Sequence, residues 1–126
     1  MNKISYCFLL VLMLSACHTT KNNTGAADTA GKCYAKVMSH DASQSEDNPK
    51  MEWQEVVCEA DITVALLRDI HSILVKAGLN PGPHPMGPEL TPAFTEALGV
   101  YQIKNQLPQG HLDMETMAHM GLASEM

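Results

Sequence analysis

The carboxyl-terminal part of the chain carries methionines and histidines at a spacing that could bind copper. Met114, Met117 and Met120 repeat every three residues. Two histidines flank them, His111 and His119. Thioethers are soft ligands that suit Cu(I). The same spacing also places the three methionines on one helical face, where methionine is an adaptable core residue. The core interpretation is favoured, and copper is the alternative.

The six histidines of the chain raise a second alternative, a zinc hydrolase. Such a site needs three protein ligands around an open metal position. The histidines are scattered instead, and His-Glu-x-x-His, His-x-His and a nucleophile elbow are all missing from the sequence. They stand at positions 18, 40, 71, 84, 111 and 119. We therefore expect a protein that is not an enzyme, with no metal and no cofactor.

The amino terminus has the pattern of a secretory signal. Lys3 precedes an apolar run over residues 4–14, and the small residues Ser15 and Ala16 precede Cys17. The run is shorter than the roughly 20 apolar residues that a membrane span needs. The cysteine directly after small residues resembles a bacterial lipobox. An ordinary signal with an incidental cysteine is the alternative.

The lipobox resemblance implies that residues 1–16 are removed and that Cys17 carries acyl chains on its sulfur and amino group. Two or more chains hold a protein stably on a bilayer. By resemblance to lipoprotein sorting, His18 in place of an aspartate favours the outer membrane. We expect a lipoprotein anchored there and facing the periplasm.

Size and charge limit the partners of the mature chain. Removal of residues 1–16 leaves 110 residues (126 − 16), which is one domain at most. The net charge is −6 and becomes −7 without Lys3, and there is no basic cluster. Nucleic acid is excluded as a partner on this basis, because phosphate binding depends on lysine and arginine.

Two cysteines remain after processing, Cys33 and Cys58. An even number of cysteines in an exported, oxidising compartment predicts a disulfide. The alternative, two ligands of a metal site, lacks a second close pair of cysteines or histidines. Residues 17–31, ahead of these cysteines, are small and polar with no large apolar side chain, so we expect a flexible tether.

Residues 32–60 have the pattern of a β-hairpin. Residues 33–38 alternate between two faces, and residues 52–58 are rich in β-formers. The polar stretch between them predicts a long loop, and a Cys33–Cys58 bond would join the open ends. Because an isolated hairpin is marginal in water, we expect Trp53 or Tyr34 to pack on the rest of the domain.

Residues 61–122 have the pattern of three short helices. Asp61 is an N-cap candidate for the first, and Gly78 ends it. Thr91 precedes a proline as the N-cap of the second, and Asp113 caps the third. We expect the apolar stripes to form the core: Ile62, Leu66, Ile70, Ile73, Leu74 and Ala77 in the first helix, Phe94, Ala97, Leu98 and Tyr101 in the second, and a Leu112–Met117 staple in the third. The predicted class is α+β, mainly α.

The end of this helical unit resembles the second half of the peptidoglycan-binding domain family. The family pattern is an aromatic-Gln pair that closes a helix, a turn with Pro-x-Gly, an apolar residue, Asp, Thr and a later apolar residue. It is met by Tyr101-Gln102, Leu107-Pro108-Gln109-Gly110, Leu112-Asp113, Thr116 and Met120. The first half matches less closely, because Pro81-Gly82-Pro83 replaces a common Asp-Gly pair. The three-helix family fold is what the resemblance implies for 61–122.

The same resemblance implies non-catalytic binding of peptidoglycan in a shallow groove. The groove would be bordered by the loop 80–91, the start of the second helix and the turn 106–113. It would need polar side chains, because the polymer offers sugar hydroxyls, amides and carboxylates. The candidates are His84, Thr91, Tyr101, Gln102 and Asp113. For each of them taken singly, a purely structural role, as a helix cap, a turn partner or a core residue, is the favoured interpretation.

The predicted function is to anchor the outer membrane, or an envelope assembly, to the cell wall. The alternative is a protein-interaction subunit of an envelope complex, in which the altered loop 80–88 contacts a protein partner. Exposed Pro85, Met86 and Leu90 would then form the interface.

Overall fold

The computed structural model describes residues 26–27, 31–39 and 49–125. The predicted signal peptide 1–16 and the predicted lipidation of Cys17 lie outside the described residues. Within those described, no helix has the length and apolar character to cross a bilayer.

The structure confirms an α+β chain that is mainly α. Its described strands are β1 (Ala26–Ala27), β2 (Cys33–Met38) and β3 (Met51–Val56). Its described α-helices are α1 (Val64–Lys76), α2 (Pro92–Lys104) and α3 (Met114–His119). Short 3-10 helices at Glu59–Asp61 and Ala123–Glu125 precede α1 and follow α3.

The predicted hairpin and its disulfide are both confirmed. β2 and β3 pair antiparallel from Cys33 opposite Val56 to Met38 opposite Met51. Cys33 is bonded to Cys58, two residues beyond the end of β3. In the chain-entropy model, a loop closed over a separation of 25 residues stabilises the fold by about 3.5 kcal/mol. The short β1, inside the predicted tether, pairs with the start of β2 and makes the sheet three-stranded.

The expectation that an aromatic residue of the hairpin joins the core is wrong for Trp53, whose side chain is 61% exposed. Trp53 lies opposite Lys36 in the register and therefore shares its face. The buried residues of β2 are Ala35 and Val37, on the other face. Tyr34 is half-buried outside the core cluster. Val57, just after β3, joins the helical core instead.

The first helix starts later than predicted. Thr63, not Asp61, is its N-cap, and the Thr63 hydroxyl accepts a hydrogen bond from the Leu66 amide. Asp61 lies in the preceding 3-10 turn. Gly78 follows the helix with a φ of +79°, a left-handed conformation that suits glycine and ends the helix as expected.

The caps of the other two helices are confirmed. Thr91 accepts from the Phe94 amide at the start of α2, where Pro92 occupies the first helical position. Asp113 accepts from the Thr116 amide at the start of α3. Each such cap contributes about 1 kcal/mol.

The core lies among the three helices and includes one residue that follows the sheet. The predicted stripes are confirmed except for Ala77, which is exposed, and for Ile62 and Ile73, which are partly buried against the core. The buried cluster is Val57, Leu66, Leu67, Ile70, Leu74, Phe94, Ala97, Leu98, Tyr101, Leu107, Leu112 and Met117.

The turn before α3 attaches the sheet to the helices. Met38, at the end of β2, exchanges two backbone hydrogen bonds with Gln109, with N···O distances of 2.9 and 3.0 Å. The Val57 amide, just after β3, donates to the Leu112 carbonyl at 2.9 Å. The segment 109–113 thus bonds to both strands of the hairpin, and the sheet and helices form one unit.

Candidate functional site

A cavity of about 490 Å³ lies where the sheet, α2 and the turn 109–112 meet. Backbone hydrogen bonds between the turn and the hairpin fix two walls of the cavity, the sheet and the turn, relative to each other. The sheet wall consists of Lys36, Met38, Met51, Val56 and Val57. The helical wall consists of Ile62, Leu90, Thr95, Leu98, Gly99 and Gln102. The turn contributes Gln109, Gly110, His111 and Leu112.

The mouth of this cavity is partly apolar. Met51 is 52% exposed, Leu90 40% and Met38 37%. Polar groups stand beside them, since Thr95 and His111 are also exposed. A cleft with apolar walls and a few polar groups is the usual form of a ligand site.

The charge of the lining differs from that of the chain. The chain has 14 acidic against 8 basic residues. Among the described residues that line the cavity there is one lysine, Lys36, one histidine, His111, and no aspartate or glutamate. The cavity is therefore a site that favours a neutral or anionic ligand over a cation.

Lys36, on the sheet wall, contacts the ring of Trp53, which is not itself a lining residue. The Lys36 ammonium lies 5.6 Å from the centre of the Trp53 ring, its partner across the strands. A cation over an indole face is stabilised by about 0.5–1 kcal/mol at an exposed site. This contact accounts for the position of the exposed tryptophan better than core packing does.

Two predicted ligand-binding residues, Gln102 and Asp113, are buried and bonded to each other. Asp113 is 0% and Gln102 1% exposed. The Gln102 amide nitrogen lies 3.1 Å from Asp113 Oδ2, 2.8 Å from the His111 carbonyl and 3.2 Å from Thr116 Oγ1. Thr116 Oγ1 also donates to Asp113 Oδ2 at 2.6 Å. Gln102 borders the cavity, but both side chains serve chiefly to join α2 to α3.

Tyr101, the third candidate, is a core residue that is 8% exposed. Its hydroxyl is hydrogen-bonded to His119 Nδ1 at 3.0 Å. Burial raises the pKa of Tyr101 above its ordinary value of 10.0. A platform for a sugar ring would need an open face, so its predicted role in ligand contact is not supported by this geometry.

The last two candidates, Thr91 and His84, lie outside the cavity lining. Thr91 is exposed, and its hydroxyl caps α2. His84 is exposed and packs edge-to-face on His71, with ring centres 5.1 Å apart. His71 in turn is hydrogen-bonded to the Gly82 carbonyl at 3.0 Å, and Arg68 donates to the Pro85 carbonyl at 3.1 Å. The loop 80–88 is thus fixed to α1.

The methionines considered as copper ligands lie in the core. Met117 is fully buried, and Met114 and Met120 pack against the same cluster. In the part of the chain that the structure describes, no three side chains of His, Cys, Asp or Glu are placed to hold a metal ion.

Sequence reasoning missed the sheet side of the cavity. The sequence predicts Lys36 and Met38 only as residues of the strand 33–38, and Met51 lies just outside the predicted strand 52–58. Their approach to α2 depends on bonding of the hairpin to the turn 109–113. His111 was considered only as a metal ligand.

Comparison of the chain with protein-family models, with curated proteins and with solved structures found no match. The peptidoglycan-binding resemblance therefore rests on the residue pattern of the helical unit alone.

Proposed function

We propose that this chain is a lipid-anchored envelope protein that binds peptidoglycan, without catalysis, in the cavity between the sheet and α2. The observation that carries the proposal is the position of the cavity. It opens beside Leu90, residues 95–102 of α2 and the turn 109–112. It therefore shares Leu90, part of α2 and part of the turn with the groove that the family resemblance predicts, whereas His84 and Thr91 lie outside it. The sheet adds a further wall to that groove.

The chemistry of the cavity suits this polymer. Thr95 and Gln109 can hydrogen-bond sugar hydroxyls and peptide amides, and Met38 and Met51 can cover apolar parts of the ligand. A partly open site of this kind gives weak binding, in the millimolar to micromolar range, or about −4 to −8 kcal/mol. Many anchored copies facing a repeating polymer would compensate through their high effective concentration.

The membrane part of the proposal rests on the sequence. Acylation of Cys17 would place the folded unit on the periplasmic face of the outer membrane, within reach of the wall. The protein would then hold that membrane, or an assembly that it joins, to the wall.

The test is co-sedimentation of a soluble form, residues 18–126, with purified wall sacculi. Gly99 lines the cavity, and a Cβ added there would meet nothing within 4 Å. Gly99→Gln should therefore place a side chain in the cavity without a clash, and it removes a helix-interior glycine that costs roughly 0.5–1 kcal/mol. We expect this variant to lose sacculus binding while unfolding at the same or a higher urea concentration.

The matched control is Ile103→Gln, which puts the same side chain on α2 at a residue that is 51% exposed and outside the cavity. It should bind like the unmodified protein. Failure of the unmodified protein to sediment with sacculi at low salt would reject wall binding. If Gly99→Gln bound sacculi as well as the unmodified protein does, the binding site would lie outside the cavity.

One observation favours the second candidate, a protein-interaction role. Met86 is 87% exposed at the tip of a loop that Arg68 and His71 fix to α1. An exposed apolar side chain on a fixed loop is typical of a protein contact, because little backbone entropy is lost on binding. Met86→Ser should then lower in-cell cross-linking to an envelope protein and leave sacculus binding unchanged, whereas Gly99→Gln should do the reverse.

A further inference from the structure

We propose that the cavity recognises the peptide part of the wall through its carboxylate groups, and that Lys36 is the residue that binds them. This inference rests on the proposed wall-binding function and names the portion of the polymer that the cavity selects.

The charge of the cavity lining favours a carboxylate ligand. A binding surface on a chain with a net charge of −6 would ordinarily contain acidic residues. Among the described lining residues the charged or titratable ones are Lys36 and His111. A neutral sugar gains little from a lysine placed there, whereas a carboxylate gains a charge-assisted hydrogen bond.

The acidic residues of the described strand β3 are paired with other lysines. Glu55 forms an ion pair with Lys32, and Glu52 forms one with Lys50. Within the residues that the structure describes, the Lys36 ammonium takes part in no salt bridge and lies over the Trp53 ring. A bound carboxylate would therefore not have to displace an acidic residue of the described segments.

Contact with Trp53 restricts the Lys36 side chain before a ligand arrives. The Trp53 ring is its cross-strand neighbour and stands 5.6 Å from its ammonium. Restriction of a long side chain in the unbound state lowers the entropy lost on binding. The ring attracts the cation without neutralising it, because the ring carries no net charge.

The surface beside Lys36 is apolar. Met38 and Met51 pair across the strands at the cavity mouth, and Leu90 faces it from the helical side. Apolar side chains next to one cation fit an aliphatic chain that ends in or carries a carboxylate. A glycan strand offers mostly hydroxyl groups, which would leave these methionines without a matching partner.

The experiment measures binding of the 18–126 protein, with its disulfide formed, to three preparations. They are untreated sacculi, sacculi whose carboxyl groups have been converted to neutral amides, and glycan strands from which the peptides have been removed. We expect about three- to tenfold weaker binding to the amidated sacculi, the loss of one exposed charged contact. The glycan strands should bind more weakly still, because they also lack the apolar contacts of the peptide.

Lys36→Gln should weaken binding to untreated sacculi by the same factor as amidation does. It should have no further effect on amidated sacculi, because the substitution and the amidation remove the same interaction. Lys76→Gln is the matched control, with the same loss of charge at an exposed residue at the end of α1. It should bind untreated sacculi like the unmodified protein.

The results separate a failure of the proposed function from a failure of this inference. No binding to untreated sacculi would reject the proposed function and this inference with it. Binding to untreated sacculi that amidation and peptide removal leave unchanged would overturn the inference alone. The same conclusion would follow if Lys36→Gln and Lys76→Gln weakened binding equally, since the effect would then reflect net charge. The amidation arm needs no variant, so a folding defect of Lys36→Gln could not obscure the answer.

Discussion

Gln102 and Asp113 are hydrogen-bonded to each other in the interior of the helical unit, with 3.1 Å between Nε2 and Oδ2. Asp113 also accepts from the Thr116 amide and hydroxyl, at 2.8 and 2.6 Å. One carboxylate therefore caps α3 and connects it to α2. Residues that carry the resemblance to the peptidoglycan-binding family thus hold the fold together. The cavity lies next to them.

Asp113→Ala should lower the free energy of unfolding by about 2–4 kcal/mol. The change removes an N-cap, which is worth about 1 kcal/mol, and leaves the buried Thr116 hydroxyl without its acceptor, at about 1–3 kcal/mol. Urea unfolding followed by circular dichroism measures the difference. Glu115→Ala, at an exposed residue in the first turn of the same helix, is the control and should cost less than about 1 kcal/mol. Equal losses in the two variants would contradict the structural role of the buried network.

Gly78 and Gly82 offer a comparison of backbone strain with and without steric contact. Both have a φ of +79°. A Cβ on Gly78 would meet nothing within 4 Å, whereas one on Gly82 would lie 3.1 Å from the Ala93 Cβ. Gly78→Ala should cost about 1 kcal/mol from the left-handed backbone alone.

Gly82→Ala should cost more than Gly78→Ala, because the loop must also move away from α2. Any such movement strains the hydrogen bond from His71 to the Gly82 carbonyl. Thermal unfolding of the two variants in one buffer measures the order. If Gly82→Ala unfolded at a higher temperature than Gly78→Ala, the loop would have moved at little cost. That result would contradict its fixed attachment to α1.

Trp53→Ala should change stability little, by less than about 1 kcal/mol, because the ring is 61% exposed and its main contact is the Lys36 ammonium. Val57→Ala should cost more, about 1–3 kcal/mol, because Val57 is 6% exposed and packs in the core cluster. Since Trp53 is the one tryptophan of the chain, the emission of the folded protein should be that of a water-exposed indole. Blue-shifted emission, or a larger loss from Trp53→Ala than from Val57→Ala, would refute this arrangement.

Local signals were enough to predict much of the fold. Thr91 before Pro92, and Asp113 after an apolar residue, are complete cap signals within a few residues. The pairing of Cys33 with Cys58 followed from parity once the other two cysteines were assigned to the signal and the anchor. In each case the interaction, a helix cap or a disulfide, joins residues that the sequence alone identifies as partners.

Asp61 and Trp53 show where sequence reasoning stopped. Asp61 and Thr63 are both good cap residues, and the apolar period that follows does not distinguish between starts two residues apart. For Trp53, alternation shows which residues share a face, but the buried face is decided by what packs on the sheet. The cavity itself depends on the bonds of Met38 to Gln109 and of Val57 to Leu112, contacts between distant segments that no local pattern predicts.

Stability should fall in strongly alkaline solution because of Tyr101. Burial raises the pKa of this phenol above 10.0 in the folded protein, whereas the unfolded chain ionises near the ordinary value. Above pH 10 the unfolded state therefore binds fewer protons than the folded state, so the free energy of unfolding decreases as pH rises. The stabilisation is fully present below pH 10 and is lost as pH climbs toward the folded pKa.

Tyr101→Phe isolates this effect, because phenylalanine keeps the ring in the core and cannot ionise. At pH 8 the variant should be less stable by about 0.5–1.5 kcal/mol, since it lacks the hydrogen bond to His119. Urea unfolding of both proteins at pH 8 and pH 11 should show that this difference shrinks or reverses at the higher pH. The 18–126 protein has no cysteine besides the bonded Cys33 and Cys58, so thiol exchange within the chain cannot mimic the result. A difference that stays constant between the two pH values would mean that the Tyr101 hydroxyl is open to solvent in the folded state.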